Sequence, residues 1–222
     1  MKTLLSYPRS GNHLVRFFIE LLTEQPTLGL LYMRNDIPIF QNIFPEKIPF
    51  NISSLSNYDS NILYRKEHNQ PKNVPTELIC IVRNPREVLL RNLHYLRHRR
   101  DKNWKICDPY FDCFDYYSMF QGKKCLFFYE DICTDKITFI EQLYDFLDVK
   151  NESKKEYVLK NIDSLFELSK LGKNRAWGGV NSTSIHYYYE KIQGEDKLRF
   201  DDYIQTKIDS GKYDILKAKY SL

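Results

Sequence analysis

The sequence lacks any segment typical of a secretion signal or a membrane span. Its first ten residues, MKTLLSYPRS, have neither the long apolar run nor the small-residue cleavage site of a signal peptide. No stretch approaches the roughly 18 apolar residues that a membrane-spanning helix needs. The five cysteines form no C-x-x-C pair and are odd in number. We therefore expect a reduced, soluble, cytoplasmic protein that has no membrane partner.

Metal-ligand spacings, repeats and strong charge are also missing. No grouping of Cys, His, Asp and Glu has the spacing of a metal site, so we expect no metal. The net charge of +4 suits an anionic small-molecule ligand and does not require nucleic acid. The basic cluster at 97–100 is most simply a solvated helix end, so no nucleic-acid partner is expected. Nothing in the sequence indicates an oligomeric state.

Short apolar runs alternate with helical patterns along the chain. Strands are predicted at 3–7, 61–65, 78–83 and 124–130, and helices at 11–24, 84–100, 135–147, 153–171 and 195–209, with a short helix at the end. This alternation predicts a three-layer α/β/α fold around a central, mainly parallel sheet of four to five strands. We expect one domain over 1–222, with 26–60 and 172–194 as loops that cover substrate or donor.

The first predicted strand leads through a glycine turn into an amphipathic helix, an arrangement typical of a phosphate site. Against the pattern G-x-x-x-x-G-K-[ST], Gly11 matches the second glycine, but Asn12 replaces the lysine and His13 replaces the magnesium-binding hydroxyl residue. A magnesium-dependent kinase or hydrolase is therefore disfavoured. The positive charge of the loop lies on Arg9, whose guanidinium suits bidentate binding of phosphate or sulfate oxygens.

Four segments in order resemble motifs of the sulfotransferases. Y-P-R-S-G-N-H at 7–13 resembles the family's 5′-phosphosulfate loop, and R-K-E-H at 65–68 resembles its K-T-H segment. I-V-R-N-P-R-E-V at 81–88 resembles the 3′-phosphate motif R-N-P-K-D-V, and F-F-Y-E-D at 127–131 resembles its F-Y-E-D strand end. The resemblance covers about 3–147.

The resemblance implies a P-loop-like fold and sulfuryl transfer from the donor 3′-phosphoadenylyl sulfate (PAPS), which leaves as adenosine 3′,5′-bisphosphate (PAP). It implies that His68 is the general base, with Arg9 and Lys66 as catalytic cations. The residues that it implies for donor binding are Arg9, Ser10, Gly11, Asn12, His13, Leu14, Arg83, Arg91, Lys173 and Arg175. Arg91 stands where the family has serine, Leu14 where it has a tryptophan that stacks on adenine, and Lys173 and Arg175 lie nearest to its R-K-G loop.

Several alternatives stay open at this point. His13 is the next candidate for the base, and Tyr187, Tyr188 and Tyr189 are candidates either for adenine stacking or for packing. A kinase-like phosphotransferase and a non-catalytic nucleotide-binding relative are the competing functions. For the acceptor, three classes stay open: a small molecule, a saccharide or a peptide. Acceptor specificity is expected in 26–60, 100–120 and the C-terminal loops.

Overall fold

A parallel sheet of four strands forms the centre of the protein in this computed structural model, which describes residues 1–29, 36–44, 57–96, 104–172, 187–210 and 212–222. The strands are β1 (Lys2–Ser6), β2 (Tyr64–Glu67), β3 (Glu77–Val82) and β4 (Lys123–Phe128). They lie in the order β2-β1-β3-β4, and every pairing is parallel. The predicted fold class, with its parallel sheet and its number of strands, is confirmed.

Side chains alternate between the two faces of the sheet, and both faces are covered. Leu4 and Ile79 pack on one face against Phe17 and Phe18 of the first helix. Cys80 points to the opposite face and packs in a second core cluster. Because both faces are buried, the strands read in the sequence as nearly continuous apolar runs.

The helices surround this sheet on both sides. They are α1 (Asn12–Thr23), α2 (Pro38–Ile43), α3 (Pro85–Leu96), α4 (Asp108–Met119), α5 (Tyr129–Thr134), α6 (Lys136–Leu147), α7 (Glu152–Lys160), α8 (Ile162–Ser169), α9 (Tyr187–Lys191), α10 (Gly194–Ile208) and α11 (Asp214–Tyr220). Within the described ranges, none of them is both long enough and apolar enough to cross a membrane.

The second strand begins three residues later than the sequence predicts. Residues 59–62 form a turn in which the Asn61 amide donates to Asp59 Oδ1 at 2.8 Å and the Ile62 amide donates to the Asp59 carbonyl at 3.1 Å. These local bonds compete with strand pairing. As a result β2 begins only at Tyr64. It ends at Glu67, and His68 is the first residue after it.

Further differences concern the helices and the end of β4. The predicted helix 153–171 is two helices, α7 and α8, because Asn161 leaves helical geometry and its side-chain amide donates to the Tyr157 carbonyl at 2.8 Å. The predicted fourth strand is two residues too long at its end, since α5 begins at Tyr129. Helices α2, α4, α5 and α9 were not predicted.

The four strands end along one edge of the sheet. Their first following residues are Tyr7, His68, Arg83 and Tyr129. The chain leaves β1 towards β2 on one side and leaves β3 towards β4 on the other, and β1 and β3 are neighbours. In parallel sheets, ligands bind in the crevice that such a reversal creates outside the carboxyl ends of the strands.

Candidate active site

The turn between β1 and α1 presents a helix N-terminus to this crevice. The Ser10 amide donates to the Tyr7 carbonyl at 3.2 Å, and the Leu14 amide donates to the Gly11 carbonyl at 3.0 Å, which starts the helix. Arg9 and Gly11 both have positive φ, at 73° and 99°. The amides of the first turn of α1 therefore point out of the helix, where they favour an anion.

Gly11 is required by a contact with Tyr129. A Cβ atom at Gly11 would lie 2.3 Å from Cδ2 of the Tyr129 ring, so no other residue fits without displacement of that ring. Tyr129 is thus part of the site. The sequence places Tyr129 at the end of β4, but the contact with Gly11 depends on the strand order and could not be read from it.

Buried polar atoms near the turn have no hydrogen-bond partner among the described residues. They are Ser6 Oγ, Ser10 Oγ and Asn12 Oδ1, in residues of which at most 6% is exposed. Buried polar groups are nearly always hydrogen-bonded. Ser10 and Asn12 flank Gly11 at the start of α1, so this part of the turn fits a polar ligand.

His68 is held against the last residue of β1, just before this turn. Its Nδ1 donates to the Ser6 carbonyl oxygen at 2.6 Å. Because a carbonyl oxygen only accepts, the proton of the neutral ring lies on Nδ1 and Nε2 carries the lone pair. Burial, together with the charge of Lys66, lowers the pKa of His68 to about 4. His68 is therefore neutral at physiological pH and is able to accept a proton at Nε2.

Lys66 lies on β2, two residues before His68, and its charge acts on the His68 ring. Burial, and next the charge of Arg16, lower the pKa of Lys66 to about 8. Arg16 is fully buried on α1, and its guanidinium donates to Thr27 Oγ1 at 2.7 Å and to the Gly29 carbonyl at 3.2 Å. Arg16 was not predicted, because its position on the apolar face of a helix gives no sign in the sequence of a role near the site.

Arg83 joins the two predicted donor motifs. It is 6% exposed, and its Nη1 donates to the Arg9 carbonyl at 3.3 Å. Its guanidinium lies 4.4 Å from the centre of the Tyr129 ring. Burial lowers the pKa of Arg83, and the nearby charge of Arg91 lowers it further. Two guanidinium groups that act on each other in this way favour a ligand with several negative charges.

Arg91 is held by a carboxylate of its own helix. Its Nε and Nη2 donate to Glu87 Oε1 at 3.1 and 2.6 Å, and its guanidinium lies 4.9 Å from the centre of the Tyr188 ring. Tyr188 is buried in the core cluster that packs against α3, which favours packing over adenine stacking for this residue.

The remaining predicted site residues lie at the start of α1 or outside the described residues. His13 is half-buried in the first turn of α1, and Leu14 is half-buried against the core. Lys173 and Arg175 lie outside the described residues. In the part of the chain that the structure describes, no group of three or more His, Cys, Asp and Glu side chains could hold a metal ion.

Comparison with solved structures identifies the fold. A mouse sulfotransferase complexed with PAP matches 98% of this chain and 86% of its own, with 18% identity and a TM-score of 0.57. Retinol dehydratase in a complex with retinol and PAP matches 93% of this chain and 80% of its own, with 16% identity and a TM-score of 0.59. No protein-family model and no curated protein matches the sequence. At these identities the likeness shows the architecture alone, and the chain therefore has the α/β fold of the PAP-complexed sulfotransferases.

Proposed function

We propose that this chain is a sulfotransferase that moves a sulfuryl group from PAPS to a hydroxyl or amine of an acceptor, with His68 as the general base. The observation that carries the proposal is the hydrogen bond of 2.6 Å from His68 Nδ1 to the Ser6 carbonyl. It fixes a neutral base directly beside the turn at which a helix N-terminus favours an anion. The fold shared with two PAP-bound proteins supports the same donor.

The chemistry assigns a task to each polar group at the turn. An acceptor oxygen forms a bond to sulfur while the bond from sulfur to the bridging oxygen of the donor breaks. His68 accepts the acceptor's proton at Nε2. Arg9 and Lys66 supply positive charge to the bridging oxygen as it becomes negative, and Lys66 is mostly protonated below its pKa of about 8. The amides and side chains of Ser10 to His13 hold the 5′-side oxygens.

The 3′-phosphate of the donor is assigned to the motif at 81–88 and to Arg91. Arg83 follows β3 at the carboxyl edge of the sheet, Arg91 lies on α3 and its charge acts on Arg83, and the combined charge of the two suits a phosphate. Lys173 and Arg175 are candidates for the same phosphate from the C-terminal side. Tyr129 packs between Gly11 and the Arg83 guanidinium and so joins the two halves of the donor site.

The acceptor class is proposed from a structural neighbour. One structural neighbour holds retinol, an alcohol, together with PAP, which supports a hydroxyl acceptor for this chain as well. Small molecules, saccharides and peptide tyrosines all present such a group. A hydroxyl requires removal of its proton during attack, and this is the step that a neutral His68 performs.

The experiment that tests the proposal uses PAPS with a labelled sulfate and acceptors from these three classes. We expect label transfer with chelator present, because no step needs magnesium. His68→Ala should lose transfer and keep the affinity of the unsubstituted protein for PAP. The unsubstituted protein failing to bind PAP and to label any acceptor would overturn the proposal. Transfer retained in His68→Ala would move the base elsewhere, with His13→Ala as the next variant.

A further inference from the structure

Glu87 connects the candidate 3′-phosphate site to the C-terminal part of the chain. It lies on α3 between Arg83 and Arg91, and its side chain is fully buried. Oε1 accepts both hydrogen bonds from Arg91, at 3.1 and 2.6 Å. Oε2 accepts from the backbone amides of Tyr188 and Tyr189, at 2.8 and 3.1 Å. One carboxylate therefore holds a guanidinium with one oxygen and the start of α9 with the other.

A buried carboxylate is costly unless a cation and hydrogen-bond donors satisfy it. Glu87 has both, so its surroundings fix its position. Arg91 is in turn held on two sides, by the Glu87 carboxylate and by the Tyr188 ring 4.9 Å away. A long side chain that would otherwise sample many rotamers is thereby ordered before any ligand arrives.

Other contacts join α9 to α3 beside this carboxylate. The Arg86 guanidinium lies 5.5 Å from the centre of the Tyr189 ring and 3.4 Å from Asp201. The Tyr189 hydroxyl donates to the same Asp201 carboxylate at 2.9 Å. The start of α9 is therefore fastened to α3, the helix that carries Arg91.

We propose that Glu87 is a positioning residue for recognition of the donor's 3′-phosphate, which acts by holding Arg91 towards the phosphate and by anchoring α9 on α3. This inference rests on the proposed function. The charge of Glu87 and its positioning of Arg91 predict opposite effects on phosphate binding when Glu87 is neutralised. A carboxylate repels a phosphate, so its charge alone predicts that neutralising Glu87 tightens anion binding. Positioning predicts that the same change weakens it.

Calorimetry with two nucleotides separates these effects. PAP carries the 3′-phosphate, and adenosine 5′-monophosphate lacks it. Glu87→Gln should lower the affinity for PAP by about tenfold, the effect of one well-oriented charge-assisted hydrogen bond. The affinity for adenosine 5′-monophosphate should change by less than about twofold, because its phosphate is assigned to the α1 turn, away from Arg91. In an Arg91→Ser background, Glu87→Gln should have little further effect on PAP binding, since Glu87 acts through Arg91.

The outcomes are distinguishable. PAP affinity that is unchanged or higher in Glu87→Gln, or equal losses for both nucleotides, would overturn the inference and leave the proposed function standing. No PAP binding by the unsubstituted protein would overturn the proposed function and this inference with it. If Glu87→Gln does not fold, Glu87→Asp keeps the charge and shortens the reach. It should lower the ratio of PAP affinity to adenosine 5′-monophosphate affinity, and an unchanged ratio would overturn the inference.

Discussion

Arg83 Nη1 donates to the carbonyl oxygen of Arg9 at 3.3 Å, across a sequence separation of 74 residues. This bond joins the loop after β1 to the end of β3. It couples the two motifs that the resemblance assigns to opposite ends of the donor. Arg83 is 6% exposed and its ring contact with Tyr129 limits its movement.

Arg83→Lys should therefore weaken PAP binding by at least about tenfold, because lysine keeps the charge and loses the planar fork that binds phosphate bidentately. Arg65→Lys is the matched control: Arg65 lies on β2, and its exposed side chain pairs with Glu67 at 3.0 Å. Calorimetry with PAP measures both. Equal affinities for the two variants would contradict a role of Arg83 in donor binding.

Gly11→Ala should abolish PAP binding and destabilise the fold. The added methyl group meets the Tyr129 ring at 2.3 Å in a backbone conformation with φ of 99°. Gly194→Ala is a matched control, since Gly194 also has positive φ, at 60°, but has no atom within 4 Å of an added Cβ. Both variants incur the cost of a left-handed alanine, about 1–2 kcal/mol. Thermal unfolding should show an additional loss for Gly11→Ala, and equal losses would show that the Tyr129 contact has no effect.

The pH dependence of turnover follows from His68 and Lys66. His68 must be neutral and Lys66 charged, and their pKa values are about 4 and about 8. Activity should fall below about pH 4, where His68 gains a proton, and above about pH 8, where Lys66 loses one. A plateau should therefore extend through neutral pH. An acid limb near the ordinary histidine value of about 6.5 would show that His68 is not held in this buried environment.

Arg16 adds a second test of that profile. Its positive charge lowers both pKa values, although burial is the larger cause in each case. Arg16→Met should move both limbs to higher pH, because removal of a cation favours the protonated forms of Lys66 and His68. Arg16→Lys keeps the charge and should leave the limbs in place. The same shift in both variants would assign the effect to loss of the Thr27 and Gly29 bonds instead.

The sequence was sufficient for the features that depend on local pattern. The strands are buried on both faces, so their apolar runs predicted the sheet, and Asn84-Pro85 predicted the start of α3. Features that depend on distant contacts were not predictable. The Tyr188 amide donates to Glu87, 101 residues away. The Tyr129 ring lies against Gly11, 118 residues away in the sequence, because the parallel strands bring the ends of β1 and β4 to the same edge of the sheet. The start of β2 was placed wrongly because the turn at 59–62 uses side-chain bonds that hydrophobic spacing does not show.

Direct calorimetric titration with PAP tests the central claim, which is that the crevice at the carboxyl edge of the sheet is a PAPS site that works without magnesium. The protein is titrated with PAP in chelator and, as a comparison, with magnesium ATP. We predict saturable PAP binding of one nucleotide per chain that magnesium does not strengthen and that Arg83→Lys weakens. The absence of PAP binding at millimolar nucleotide, or binding of ATP that depends on magnesium and exceeds that of PAP, would contradict the account.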